Sequence, residues 1–247
     1  MMEMDKIHFG DCLEIMNNID DKSIDMICID PPFGITVCDW DSIIPFDKLW
    51  KQFKRIRKDN TPILIFGKQP FTTMVNMSNI DEFKYEIIWK KQQATNPMCS
   101  KTQIMPIHEN ISVFYKEQCT YNPQMSYGHK CYSQFKGNKN IGEIYGDIKS
   151  SHRECLDGSR YPVSVLEYNN VRGGLHPTQK PIELLEYLIK TFSNEGDLIL
   201  DCCSGSGSTA IASIDTNRHY ICIEKEENYY NLSLTRERQA KIKRKLV

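Results

Sequence analysis

Leu198-Ile199-Leu200-Asp201-Cys202-Cys203-Ser204-Gly205-Ser206-Gly207-Ser208-Thr209-Ala210-Ile211-Ala212 is the stretch that decides the fold. Three aliphatic residues make a short buried strand, a Gly/Ser-rich turn follows, and Ala210-Ile211-Ala212 opens a helix. Glycine has no Cβ, so such a turn lets a ligand come close to the backbone. Gly205-x-Gly207 lacks the lysine of a phosphate-binding loop. The next strand candidate ends in Glu224, about twenty residues on, where a carboxylate commonly accepts both hydroxyls of a ribose. A glycine turn alone is a weak signal, and Glu224 alone could be a solvated strand end. Together they fit a nucleoside cofactor without requiring a pyrophosphate.

Working outward, short apolar runs rich in β-branched residues alternate with helix-like stretches, the pattern of a mostly parallel sheet with helices on both faces. The strand candidates are 24–29, 63–66, 85–89, 111–115, 198–200 and 220–223. Most end in turn or polar residues, where open α/β sheets keep their ligands. Leu185, Leu188, Ile189 and Phe192 fall at helical spacing. Thr178 is placed to cap that helix, Pro181 suits its first turn, and Gly196 lies just past its end. Residues 226–245 read as a helix that turns basic after Thr235, either a phosphate-contacting tail or a soluble end. Residues 116–170 differ: Tyr, Asn, Gln, Ser, Gly and Lys dominate and no apolar period survives. The stretch is too long for an ordinary connection. Its aromatics, Tyr121, Tyr127, Tyr132, Phe135, Tyr145 and Tyr161, are too many for a disordered tract. The reading is a single domain, 1–247, carrying a functional insertion at 116–170.

A chain of 247 residues holds one sizeable core and is too short for two full domains with linkers. The start is polar and acidic, and no apolar run is long enough to cross a bilayer, so neither a signal peptide nor a membrane span is read. Net charge is −1, yet from Lys84 to Lys180 thirteen Lys/Arg stand against eight Asp/Glu. A polyanion would be met in that middle third, although a merely basic surface explains such a surplus almost as well. Ten cysteines are scattered, several inside apolar runs such as Met26-Ile27-Cys28-Ile29, and read as reduced, mostly buried thiols. No Cys-x-x-Cys spacing is present, and adjacent Cys202-Cys203 would be awkward as two ligands of one ion, so no metal is expected.

Asp30-Pro31-Pro32-Phe33 follows the buried strand 24–29. Two prolines stiffen the turn and remove two N–H donors, leaving carbonyls that can only accept. A carboxylate beside them suits an amino group presented as a donor, and Phe33 supplies a face for stacking. The exocyclic amino group of adenine or cytosine is a poor nucleophile, because its lone pair is delocalised into the ring. Hydrogen bonds from its two N–H groups to Asp30 and the Pro31 carbonyl would favour a pyramidal nitrogen and stabilise the positive charge that develops in methylation. A base in a duplex must flip out to reach such a site.

These two segments, with His176-Pro177-Thr178-Gln179-Lys180-Pro181 between them, resemble the DNA amino-methyltransferases of restriction-modification systems and phages. The order, catalytic segment before cofactor segment, resembles their circularly permuted β group. The similarity covers about 7–115 and 161–230, and three motifs in register make it specific. The resemblance implies a Rossmann-like α/β fold that binds S-adenosyl-L-methionine. Asp201, Cys203, Gly205, Ser206 and Gly207 would surround the methionine part, and Glu224 would hold the ribose. Gly10-Asp11-Cys12 matches the early segment whose acidic residue reaches the cofactor adenine. His176, Thr178 and Lys180 match the segment at the methionine end, with Lys180 meeting the carboxylate. Asp30, Pro31, Pro32 and Phe33 match the catalytic quartet. Two departures stand out: Asp201-Cys202-Cys203 replaces the usual Asp-Pro-Phe, and Phe33 replaces the usual Tyr.

An Asp-Pro-Pro start goes with adenine N6 in this family, and Ser-Pro-Pro more often with cytosine N4. Adenine is therefore the favoured base and cytosine the runner-up. A degenerate homologue that only binds nucleic acid would have no reason to keep Asp30, Gly205, Gly207 and Glu224. Methylation of a protein amide would prefer Asn at position 30. The residues alone do not separate RNA from DNA. The resemblance makes double-stranded DNA the partner, read through 116–170, allows a homodimer and a cognate restriction enzyme, and implies a cytoplasmic location, the host's for a phage-encoded chain.

Overall fold

The computed structural model describes residues 2–36, 41–136, 140–141, 146–147, 151–171 and 179–245. The chain begins β1 (Lys6–Phe9), α1 (Cys12–Ile15), β2 (Met26–Ile29), α2 (Phe46–Ile56), β3 (Ile63–Gly67), α3 (Phe71–Ser78), β4 (Phe83–Lys90) and β5 (His108–Phe114). Short strands β6 (Tyr132–Lys136), β7 (Asn140–Ile141), β8 (Gly146–Asp147) and β9 (Ser151–Cys155) follow. The rest is β10 (Val165–Glu167), α4 (Ile182–Phe192), β11 (Leu198–Asp201), α5 (Ser208–Asp215), β12 (His219–Glu224) and α6 (Glu227–Lys245).

Eight strands form one sheet in the order β1-β12-β11-β2-β3-β5-β4-β10. Only β5 runs against its neighbours β3 and β4; every other pair is parallel. All six strands read from the sequence are in it. β1 and β10 were not foreseen: each is short and adds an edge strand, where burial is one-sided and the pattern faint. The two faces sort by the period of two along each strand. Ile27 and Ile29 pack with Ile63, Ile65 and Leu200 against Trp50, Phe53 and Ile56 of α2 and Phe71 of α3. Met26 and Cys28 turn the other way with Leu64, Phe66 and Ile199, against Leu184, Leu185, Leu188 and Phe192 of α4. α5 and α6 cover Ile7, Tyr220 and Cys222 on that second side. Each such fully buried aliphatic or aromatic side chain is worth roughly 1.5–3 kcal/mol relative to exposure. The α/β architecture with helices on both faces is thus as read.

Details of the ends differ. α4 is capped by Pro181, which lacks a side-chain cap bond, and Thr178 lies outside the described residues. Helix α6 confirms the expected C-terminal helix, and three of its basic side chains bond to the protein itself. Arg236 donates to the Ser206 carbonyl at 2.5 Å and hydroxyl at 2.7 Å, Lys241 to the Asp5 carbonyl at 2.8 Å, and Arg244 to the Ile214 carbonyl. Among the described residues no helix is long and apolar enough to cross a membrane.

The chain divides into two compact units, Met1–Asn122 with Ser164–Val247, and Pro123–Val163. The second is narrower than the segment read at 116–170, because Cys119 is buried in the main core and β10 pairs with β4. Within the small unit β6 pairs antiparallel with β9, and Ser126 bridges Arg160. The Arg160 guanidinium lies 4.8 Å from the centre of the Tyr132 ring. Gly158 has φ +67° with the His129 carbonyl 2.5 Å from where a Cβ would stand, so only glycine fits that turn.

Candidate active site

The carboxyl ends of the parallel strands share one edge of the sheet, and a cavity of about 320 Å³ opens there. Its wall includes Asp11 and Cys12 after β1, Asp30 to Phe33 after β2, Asp201 at the end of β11 with Cys202 to Ser206 after it, and Glu224 at the end of β12. Thus the structure brings together segments some 170 residues apart, because β2 and β11 are neighbours, with Leu200 opposite Ile27. Of the residues singled out from the sequence, His176 and Thr178 lie outside the described residues. Gly207 does not line the cavity. It has φ +77°, and a Cβ there would meet the Ser233 Cβ at 2.9 Å. The positive φ and the close passage of α6 both call for glycine there.

The turn after β11 is braced from within. Asp201 accepts from the Cys203 amide at 3.0 Å and from the Thr209 hydroxyl at 2.6 Å. Burial pushes its carboxyl up to about 7, against those two hydrogen bonds. Glu224 accepts from the Gly205 amide at 2.6 Å and the Glu226 amide at 2.8 Å, and burial likewise raises its pKa. Each carboxylate oxygen has a second lone pair, so Glu224 can clamp the turn and still accept from a ligand in the cavity. Asp11 caps α1 through the Leu13 amide at 2.8 Å. Cys12 lies beside Cys202 and Cys203, whose hydrogen bonds pull its thiol down to about 4.

Asp30 is the meeting point of a second group. Lys180 donates to its Oδ2 and stands 3.4 Å from Glu109 Oε2. The resemblance implied contact of Lys180 with the cofactor carboxylate; in this structure its ammonium is buried against Asp30 and Glu109 at the cavity wall. Glu109 also binds Lys91 at 2.5 Å and faces Lys68 at 3.7 Å. Burial opposes the charge on Glu109, but Lys180, Lys91 and Lys68 outweigh it and hold the carboxyl down at about 2. Burial also opposes the charge on Lys180, and Asp30 and Glu109 overcome it, so the ammonium is held above its ordinary pKa. For Asp30 burial wins and the pKa rises, with Lys180 opposing. Its Oδ1 has no hydrogen-bond partner. That oxygen is buried, so the carboxylate has one oxygen fixed by an ammonium and the other enclosed without a donor.

Phe33 lines the cavity and is backed by Phe71, ring centres 5.1 Å apart. Asp41 shapes the loop beyond it, accepting from the amides of Gly34, Ile35 and Thr36 at 2.7–2.9 Å. Glu109, Asp41 and Arg236 were missed in the sequence. Glu109 had no motif of its own: β5 runs antiparallel, so its amino end, not its carboxyl end, comes to the cavity. Arg236 sat in the basic stretch read as either a phosphate-contacting tail or a soluble end.

A family model described as DNA methylase matches residues 24–235. The type II methyltransferase M1.MboII of Moraxella bovis is 28% identical, over 94% of this chain and 95% of its own. M2.MboI of the same organism is 31% identical, over 93% of this chain and 86% of its own. Among solved structures, M1.HpyAVI in complex with SAM superposes with a TM-score of 0.63 at 21% identity, covering 94% of this chain and 98% of its own. The cytosine-N4-specific PvuII DNA methyltransferase gives 0.66 at 17% identity, over 96% and 90%. These structural likenesses establish a shared fold, and the sequence match runs from ahead of β2 well into α6, across both motif-bearing turns. The chain belongs to the DNA methylase family, the amino-methyltransferases acting on DNA.

Proposed function

We propose that the protein methylates the exocyclic N6 of adenine in duplex DNA, with S-adenosyl-L-methionine as donor. The observation that carries this reading is the Asp30 carboxylate at the cavity wall, its Oδ2 held by Lys180 and its Oδ1 without a partner. The cavity fits the donor. Its size is within the range of small-molecule sites, apolar Ile29, Ile223 and Phe33 alternate with the carboxylates of Asp11, Asp30, Asp201 and Glu224, and a carboxylate-lined wall favours a sulfonium cation. When bound, the donor supplies an electrophilic methyl group.

This chain's own residues do the rest. Glu224 and the Gly205 turn would hold the ribose and amino-acid parts, with Asp11 toward the adenine. Phe33 would stack on the flipped target base, a contact worth roughly 1–3 kcal/mol. Asp30 Oδ1 and the Pro31 carbonyl would accept the two N–H bonds of the target amino group and aim its lone pair at the methyl. As the N–C bond forms, the bond from that methyl to sulfur breaks and the sulfur leaves as a neutral thioether, so the nitrogen gains the positive charge and then loses a proton. Asp30 Oδ1 is the acceptor in place, with Lys180 stabilising the carboxylate before transfer. The Asp at position 30 supports adenine. Pro123–Val163 would read the sequence, and the type II relatives support a cognate restriction enzyme as partner.

The test is transfer of labelled methyl from S-adenosyl-L-methionine to plasmid DNA by the purified protein, followed by mass analysis of the nucleosides. N6-methyladenine is expected, and its loss in Asp30→Ala with donor binding retained. N4-methylcytosine would replace adenine by the runner-up, and transfer by Asp30→Ala at the unaltered rate would overturn the mechanism.

A further inference from the structure

Cys12 and the pair Cys202-Cys203 are far apart in sequence, yet their sulfur atoms all lie within 4.8 Å of one another. β1 and β11 flank β12, so the turns that follow β1 and β11 meet over the end of β12. Cys12 and Cys202 are buried, Cys203 is partly exposed, and all three line the cavity. The adjacency that made Cys202-Cys203 look awkward as ligands is answered by the fold: the chain bends directly after β11, and both thiols reach the same neighbour. A tetrahedral ion bound to sulfur at about 2.3 Å holds its sulfurs roughly 3.8 Å apart. The cluster is therefore within a small side-chain adjustment of a three-thiolate site. Thiolates select soft or borderline ions. The carboxylates of Asp11 and Asp201 beside the cluster add to the attraction for a cation.

We propose that Cys12, Cys202 and Cys203 form a three-thiolate binding site for a soft divalent ion such as Zn²⁺ or Cd²⁺, and that its occupancy excludes the methyl donor from the cavity. Binding forms three metal–sulfur bonds and releases the thiol protons to solvent. Three protein ligands leave the fourth position of the ion open to water. The ion then occupies the wall between Asp11 and the glycine turn that the donor needs. The exclusion half of this inference rests on the proposed function; the metal half does not.

Cd²⁺ is the probe, because its thiolates give an ultraviolet charge-transfer band. Titration of the reduced, full-length protein is expected to show one tight equivalent with the band of three thiolates. In Cys12→Ser and in Cys203→Ser, each checked for folding by circular dichroism, affinity should fall at least about tenfold, since even losses outside the ligand shell cost that much. Calorimetric titration of S-adenosyl-L-methionine into the Cd²⁺-loaded protein should show binding weakened by a similar factor or more. Equal bands in wild type and both variants would put the ion on other thiols and overturn the site. A lost band in the variants with unchanged donor affinity in the loaded protein would overturn the exclusion. Failure of the metal-free protein to bind the donor would instead strike the proposed function, leaving the metal result standing.

Discussion

Burying a lysine ammonium costs several kcal/mol unless carboxylates face it, and Lys180 is faced by Asp30 and Glu109. The arrangement couples Asp30, the carboxylate proposed to hold the target amino group, to a buried network of charges whose members can be removed singly. Asp30 already has a raised pKa through burial, and Lys180 is the largest force opposing that rise. Lys180→Met keeps the length and removes the charge, so the Asp30 pKa should climb further and the acid limb of the methyl-transfer rate should move to higher pH. An unmoved acid limb in the pH–rate profile would show that Lys180 does not control Asp30. Glu109 gives a second test, on stability. Its folded pKa, about 2, lies below the ordinary 4.5. Its ion pairs therefore stabilise the protein fully above the unfolded value and are lost as pH falls from about 4.5 toward about 2. Glu109→Gln should be less stable than wild type by about 3 kcal/mol near neutrality, with the gap closing through that acid window. Urea unfolding of both proteins at several pH values measures it, and a gap independent of pH would mean the effect is packing.

At the scale of elements, the glycine turn after β11 is held from three sides. Glu224 of β12 accepts its Gly205 amide, Thr209 of α5 binds Asp201, and Arg236 of α6 takes the Ser206 carbonyl and hydroxyl. A helix that looked like a tail thus fixes the loop that would cradle the donor. Arg236→Ala removes these bonds and a third to the Ser208 hydroxyl at 3.3 Å, and leaves the buried Ser206 carbonyl short of a partner, a loss on the order of 1–3 kcal/mol. Weaker donor binding with a modest fall in Tm is expected, while Arg238→Ala, two residues along the same helix, serves as the control. Calorimetry and thermal unfolding read the two effects; donor affinity equal to wild type in Arg236→Ala would free the turn from α6. Gly207→Ala should be worse for the fold, because it adds a side chain at positive φ and meets Ser233, with strain of roughly 1–3 kcal/mol. The strand–turn–helix itself was legible, since Leu198-Ile199-Leu200 and the two glycines state it locally. The clamps were not, because Arg236 and Thr209 carry no local signal of the partner they meet.

At the scale of the molecule, what the sequence conveyed was whatever repeats along the chain: aliphatic strands, the helical face of α4, and motifs at strand ends. Sheet order is not of that kind. Neither the reversed direction of β5, which delivers Glu109, nor the edge strand β1, which delivers Cys12, leaves a periodic mark, so the charge network and the thiol cluster were hidden until the strands were ordered. The insertion was visible only as a break in apolar period, and its limits moved inward to Pro123–Val163 once Cys119 and β10 were seen to belong to the main sheet. That unit has its own antiparallel pairing and turn, and carries six Lys/Arg against four Asp/Glu. The strands that flank it in sequence, β5 and β10, are paired within the other unit. Replacing Pro123–Val163 by a short Gly/Ser linker should therefore leave the sheet, the cavity and donor affinity intact. DNA should then bind with a shallower dependence on salt, because fewer phosphates are neutralised, and the preference for one sequence should disappear. Donor calorimetry, DNA titrations at several salt concentrations and mapping of modified positions separate these effects. If the shortened protein methylated the same sequence as the full chain, recognition would reside in the main unit, and the inserted one would need a different role.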